Sequence, residues 1–224
     1  MRNDDLTTKR ILSLTAALPF FNLADLAPFG EDKSYLKIIL SRFAKKGVMI
    51  RLKKSMYVAK AYLDAAGKGG LLSDYLEFIA NNLYPSSYIS LDYILYEHNI
   101  LTETPKNFTS ISLLKTARFS NAFGNFFYHT IKKGLFLGFN VIKKGNFTVL
   151  KATRAKALFD FIYLRKNNLL SRKAIEELRL NLEHLTPEDW QELEGYVGKE
   201  GSRRMKEILI TCSDGYGNHK TNTP

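Results

Sequence analysis

Between residues 32 and 58 the spacing of apolar side chains changes period, and that change constrains the fold more than any other feature of the chain. Leu36, Ile39, Leu40 and Phe43 recur at i, i+3, i+4 and i+7, which predicts a helix from about Asp32 to Lys46 closed by Gly47. In the following VMIRLKKSMYVA, Val48, Ile50 and Leu52 alternate, KKS makes a turn, and Met56 and Val58 alternate back, the pattern of a β-hairpin with lysines at its tip. Two helices are expected upstream. Ile11, Leu14, Thr15 and Leu18 share one face of a helix stopped by Pro19, and Asn22 caps a short helix, NLADLAPFG, with Leu23 and Leu26 inward and Gly30 at its end.

Helix, helix, helix and basic hairpin follow one another in the order of a winged helix-turn-helix, expected over residues 1–66. The third helix carries the informative surface. Opposite its apolar stripe stand Ser34, Lys37, Ile38, Ser41 and Lys45, flanked by Tyr35 and Arg42, with no acid after Asp32. The formal charge is +11, and it has a location: residues 1–70 hold 13 Lys and Arg against 6 Asp and Glu, residues 71–224 hold 20 against 16. A polyanionic partner, double-stranded DNA, is the reading of that distribution. The helix would enter a major groove with Ser34, Lys37, Ile38, Ser41 and Lys45, with Tyr35, Arg42 and Lys46 beside them, while Lys53 and Lys54 on the wing contact phosphate or reach the minor groove. Ile38 suits a thymine methyl or an interprotein contact. The competing reading is a small helical domain with a solvated basic face.

GKGG at 67–70 marks a domain boundary where the composition changes, and an α+β domain is expected over 67–213. It opens with a helix, LLSDYLEFIANNLY, capped by Ser73 with Leu76, Ile79, Ala80 and Leu83 inward; Pro85-Ser86-Ser87 breaks it and Ser90 caps a short helix. Strand-like runs at 108–114, 126–131, 135–142 and 147–152, punctuated by Asn121, Gly124, Gly134 and Gly145-Asn146, predict an antiparallel or mixed sheet rather than repeated βαβ units. Helices then return around Ala157, Leu158, Phe161, Ile162 and Leu164, at 175–185, after Thr186-Pro187-Glu188-Asp189, and at 202–210. Residues 214–224 are expected to be disordered.

No catalytic constellation stands out. His98, His129, His184 and His219 lie at no metal-ligand spacing, and neither a phosphate-binding glycine loop nor a dinucleotide fingerprint occurs, so no metal or cofactor is expected. A nuclease-like reading would draw on Asp92, Glu97, Glu103 and Asp160 with Lys151 or Lys156, at a spacing that matches no motif with a mechanism behind it. The aromatic run of Phe119, Phe123, Phe126, Phe127, Tyr128, Phe136 and Phe139 between Arg118, Lys132 and Lys133 suits base stacking or a protein-interaction module, although alternation sends about half of the rings into a core. One cysteine, Cys212, and no apolar run near the roughly 20 residues of a membrane span predict a cytoplasmic protein.

From about Leu6 to Leu164 the chain resembles the AbiEi-like antitoxin and transcriptional-regulator family of type IV toxin–antitoxin systems. The resemblance rests on DLAPF…SYLKIILSRFAKKGVMIRLKKSMYVA, on Tyr88, Ser90 and Leu91, on Gly124-x-Phe126-x-Tyr128, and on Lys156-Ala157-Leu158-x-Asp160. It implies promoter binding through the winged helix at the protein's own operator, inverted repeats with self-association on DNA, and protection against a nucleotidyltransferase-like toxin with or without direct contact. The family often has Pro-Glu before the Lys-Ala-Leu; here Arg154-Ala155 stand there, so no role resting on that glutamate carries over.

Overall fold

The β2–β3 hairpin, residues 49–59, sits at the junction of two hydrophobic cores in a mixed α+β fold with two sheets; the computed structural model describes residues 2–29 and 32–220. The chain enters through α1 (Arg2–Thr15), a two-residue strand β1 (Phe21–Asn22) and a 3-10 segment (Leu23–Phe29), then passes through α2 (Lys33–Lys45) into β2 (Met49–Lys53) and β3 (Met56–Ala59). These three strands pair antiparallel in the order β1-β3-β2. Asp32 caps α2, its carboxylate accepting from the amides of Ser34 at 2.7 Å and Tyr35 at 3.2 Å. Leu36, Ile39, Leu40 and Phe43 are buried with Ile11, Phe21, Leu26, Met49 and Tyr57 in the smaller core.

Three upstream expectations are corrected. Leu14 is 42% exposed; among the described side chains of α1 the buried ones are Ile11 and Thr15, whose hydroxyl donates to the Ile11 carbonyl at 2.7 Å, and the helix ends at Thr15, short of Pro19. Asn22 is a strand residue paired with Met56, not a helix cap, and its amide donates to Asp25 at 2.6 Å. The segment after it winds as a 3-10 helix, and Gly30, its expected end, lies outside the described residues.

Each face of the hairpin packs against a different core. The pairing runs Arg51 to Tyr57 and then Lys53 to Met56, so a bulge near the tip shifts the alternation. Met49 and Tyr57 face the smaller core, whereas Leu52, Met56 and Val58 belong to the larger one, with Ile50 packed against it. The larger core thus reaches across the expected boundary. Gly67 lies inside α3 (Lys60–Lys68), and only Gly69, Gly70 and Leu71 separate it from α4 (Leu72–Leu83). Ser73 is within α4 and does not cap it.

The larger sheet has the order β6-β7-β5-β4-β9-β8, built from β4 (Ser87–Ile89), β5 (Asn107–Ser112), β6 (Ala117–Asn121), β7 (Gly124–Thr130), β8 (Phe139–Lys144) and β9 (Phe147–Ala152). It is mixed: β4 runs parallel to β9 and β5 to β7, the other pairs antiparallel. α4 covers one face, where the Tyr128 hydroxyl donates to the Ala80 carbonyl at 2.5 Å and Phe147 packs on Phe78. α5 (Asp92–Glu97) and α6 (Arg154–Arg165) lie against the other. Leu91, with φ +62°, starts α5, and Ser90 does not cap it: its hydroxyl donates to Asp160 on α6 instead. α7 (Arg172–Glu176) stops well before the expected end at 185, a 3-10 turn (Leu182–His184) follows, and α8 (Pro187–Glu200) opens on the expected Thr186–Asp189 capping box. α9 (Arg203–Lys220) runs through much of the tail expected to be disordered; 221–224 lie outside the described residues. Cys212 on α9 is buried in the larger core. No described helix is long and apolar enough to cross a membrane.

Gly138 closes the approach of α8 to β8. It has φ +76°, and a Cβ there would lie 2.1 Å from the Tyr196 hydroxyl oxygen and 3.0 Å from Cδ of Lys156. Gly138→Ala should therefore lower stability by on the order of 3 kcal/mol. Gly198→Ala, on the exposed side of α8 with nothing within 4 Å, should raise it by about 0.5–1 kcal/mol. Thermal melts of the two variants check the contrast, and equal shifts would be inconsistent with this packing.

Candidate nucleic-acid interface

α2 buries one stripe and leaves the other side to solvent. Lys37, Ser41 and Lys45, at i, i+4 and i+8, form the edge that faces the hairpin. Between that edge and the hairpin lies an open cleft of about 540 Å³ lined by Lys37, Ser41, Ala44, Lys45, Arg51, Lys54, Ser55 and Tyr57. Four cations, three hydroxyls and no carboxylate line it, so its field has one sign and its floor offers hydrogen bonds. Ser55 takes a left-handed turn with φ +63°, and its carbonyl accepts from the Leu23 amide at 3.1 Å, tying the hairpin tip to the 3-10 segment.

Of the candidate residues, Lys37, Ser41, Lys45 and Lys54 meet in this cleft. Ser34, Ile38, Arg42 and Lys46 are exposed elsewhere on α2 and its C-cap, Ile38 to 50%, while Tyr35 is half-buried against the smaller core. Lys53 is drawn away: its ammonium donates to the Leu83 carbonyl at 2.6 Å and lies 5.8 Å from the centre of the Phe119 ring. Arg51, Ser55 and Tyr57 were not singled out in the sequence. Arg51 was within reach, because an inward Ile50 and Leu52 leave it outward on the side toward α2.

Four of the residues quoted for the resemblance, Tyr88, Ser90, Lys156 and Asp160, converge in the interior of the second unit rather than at a surface. Tyr88 and Ser90 donate to one carboxylate oxygen of Asp160 at 3.0 and 2.8 Å, and Lys156 pairs with the other. The Lys156 ammonium sits over the rings of Phe159, Tyr196 and Tyr88, at 4.6, 5.4 and 5.7 Å. Burial pushes the Asp160 carboxyl up and the Lys156 ammonium down, with the partner charge opposing in each case. The four side chains are fully buried and fix α6 against β4.

The carboxylates considered for hydrolysis do not meet. Asp160 is in that buried pair, Asp92 faces Arg165 at 3.5 Å, and Glu97 holds Lys151, which also binds Glu77 at 2.9 Å; Glu103 is exposed. Among the described residues no three His, Cys, Asp or Glu side chains group around a metal-sized space, and the His219 side chain lies outside them. In the aromatic run, Phe126 and Tyr128 are core and Phe119, Phe123, Phe136 and Phe139 pack against it. Phe127 is half-buried under Arg118, whose guanidinium lies 4.3 Å from the ring centre. No protein-family model and no curated protein matches the chain.

Glu77 shows how the second unit manages its charge. It is 3% exposed; burial alone would raise its carboxyl, but hydrogen bonds from Lys144 and Lys151 outweigh this and hold it below the ordinary 4.5. A depressed carboxylate stabilises the fold above its unfolded pKa, and the contribution fades as pH falls through the folded value. Glu77→Gln should cost on the order of 3 kcal/mol near neutral pH, where Lys151 and Lys144 lose a buried partner. The gap to the parent protein should narrow below about pH 4.5. Melting temperatures across an acid series measure this, and a gap independent of pH would remove the electrostatic explanation.

Proposed function

We propose that the chain is a DNA-binding transcriptional regulator: residues 1–66 act as a winged helix-turn-helix with α2 as the reading helix and the β2–β3 hairpin as the wing. The observation that carries this reading is the acid-free cleft between them, with Lys37, Lys45, Arg51 and Lys54 converging on one channel. A phosphodiester strand bordering a major groove has the charge for that channel, with Ser34, Ile38 and Arg42 outside it, and Ser41 on its edge, turned to base edges. The helix, strand, helix and hairpin order with a β1-β3-β2 sheet supports it.

In the same proposal the protein works in the cytoplasm as the autoregulator and antitoxin of a type IV pair, counteracting a nucleotidyltransferase-like toxin. Support for this part is the resemblance, and its motif residues Tyr88, Ser90, Lys156 and Asp160 act by building the second unit, not by touching a ligand. Repression and protection then draw on different surfaces. Replacing Lys37 and Arg51 together should relieve repression while leaving protection against the toxin of the adjacent reading frame; loss of both from a folded variant would join the two functions in one surface.

DNA binding itself is tested with the duplex upstream of the gene and a scrambled duplex across a salt series. Lys45→Ala and Arg51→Ala should each weaken both complexes and reduce the salt slope by roughly one unit. Ile38→Ala and Ser41→Ala should lower the specific-to-random ratio by about 1–3 kcal/mol per base pair no longer read. Melting temperatures should not move, since all four side chains are exposed. An unchanged ratio together with an unchanged slope would return this face of α2 to ordinary solvated surface.

A further inference from the structure

Two lysines adjacent in sequence at the hairpin tip do different things. Lys54 lines the cleft, whereas Lys53 reaches across to the second unit. Its acceptor, Leu83, is the last residue of α4, so its carbonyl is one of those left without a partner inside the helix and lies at the negative end of the helix dipole. A second link runs parallel to it. Asn121, at the β6–β7 turn, accepts from the Phe123 amide at 2.8 Å and donates to the Leu52 carbonyl at 3.1 Å, joining the tight turn to the strand that carries Arg51. Both links leave the second unit and end within two residues of the cationic cleft.

We infer that Lys53 and Asn121 are positioning residues: struts by which α4 and the β6–β7 turn set the distance between the hairpin tip and α2, and so the width of the anion cleft. This inference rests on the DNA-binding reading of that cleft. Lys53 loses solvent in this position, and burial lowers its pKa, which suits a strut better than a freely hydrated phosphate contact.

Salt dependence separates a strut from a contact, because only a side chain that displaces counterions from phosphate changes the slope. In full-length protein with the upstream duplex, Lys54→Met should reduce the slope by roughly one unit. Lys53→Met, which keeps the stem on Phe119, should weaken binding about fivefold with the slope unchanged, and the uncharged change Asn121→Ala should do the same. Lys53→Arg, which can still donate to Leu83, should restore affinity. Without DNA, hydrogen exchange at residues 52–56 should quicken in Lys53→Met and Asn121→Ala, and hold at the parent rate in Lys54→Met. A slope drop in Lys53→Met equal to that of Lys54→Met would make Lys53 a phosphate contact and overturn the inference, as would unaltered exchange in both strut variants. If the parent protein's binding is insensitive to salt while exchange responds as described, the DNA reading fails and the struts stand as hairpin supports alone.

Discussion

A β-hairpin of about ten residues has two faces, and in this protein each packs against a different core, while Arg51, Lys54 and Ser55 stay open to the cleft. Tyr57 and Met49 fill the N-terminal core, while Leu52, Met56 and Val58, on the same short strands, fill the other. Strand geometry makes this economical, because alternate side chains point to opposite sides and one hairpin can close two cores. It also means that the hairpin cannot move relative to one unit without disturbing its packing on the other. The cleft beside α2 inherits that rigidity, since half of its lining comes from the hairpin.

The two parts of the chain treat charge in opposite ways. In the C-terminal part, buried and partly buried cations are matched at close range: Lys144 and Lys151 on Glu77, Lys156 on Asp160, Lys166 on Glu200 at 2.6 Å, Arg154 on Asp189 at 3.1 Å. Such pairs fix element positions more than they add stability, because desolvation consumes most of the attraction. Along the cleft the lining cations have no carboxylate among them, and four like charges share one space. Mutual repulsion there is tolerable in water and would turn into attraction once a polyanion entered. Four of the 13 Lys and Arg of residues 1–70 share this cleft.

Much of this was legible in the residues. The stripe Leu36, Ile39, Leu40, Phe43, the Asp32 and Gly47 ends of α2, the turn around Lys54 and the capping box at Thr186 depend on interactions within a few positions, and sequence spacing reports those directly. What sequence spacing did not carry was the partner. Val48, Ile50 and Leu52 alternate as a one-sided strand would, but Met49 is 1% exposed because a second core lies behind it. β4 is hidden by Pro85, Ser86 and Ser87; burial of Ser87 in that strand, and of Ser90 just after it, is acceptable because their hydroxyls find acceptors at the Tyr84 carbonyl and Asp160. Lys53 and Lys54 are indistinguishable as letters. A bulge and the end of a helix thirty residues on decide which one faces the cleft.

The buried thiol near the C-terminus carries one more consequence. Cys212 is packed in the larger core alongside Met205 and Ile208, and burial pushes its pKa up to about 11. Only the thiolate attacks an electrophile, so at neutral pH the group is chemically silent for as long as α9 stays docked. An alkylating reagent can reach it when that helix lifts, and the rate of its modification then counts openings of one terminal element against the closed background of the rest. The protein thus contains a single chemical clock for the motion of its last helix, set by nothing more than where one small side chain was buried.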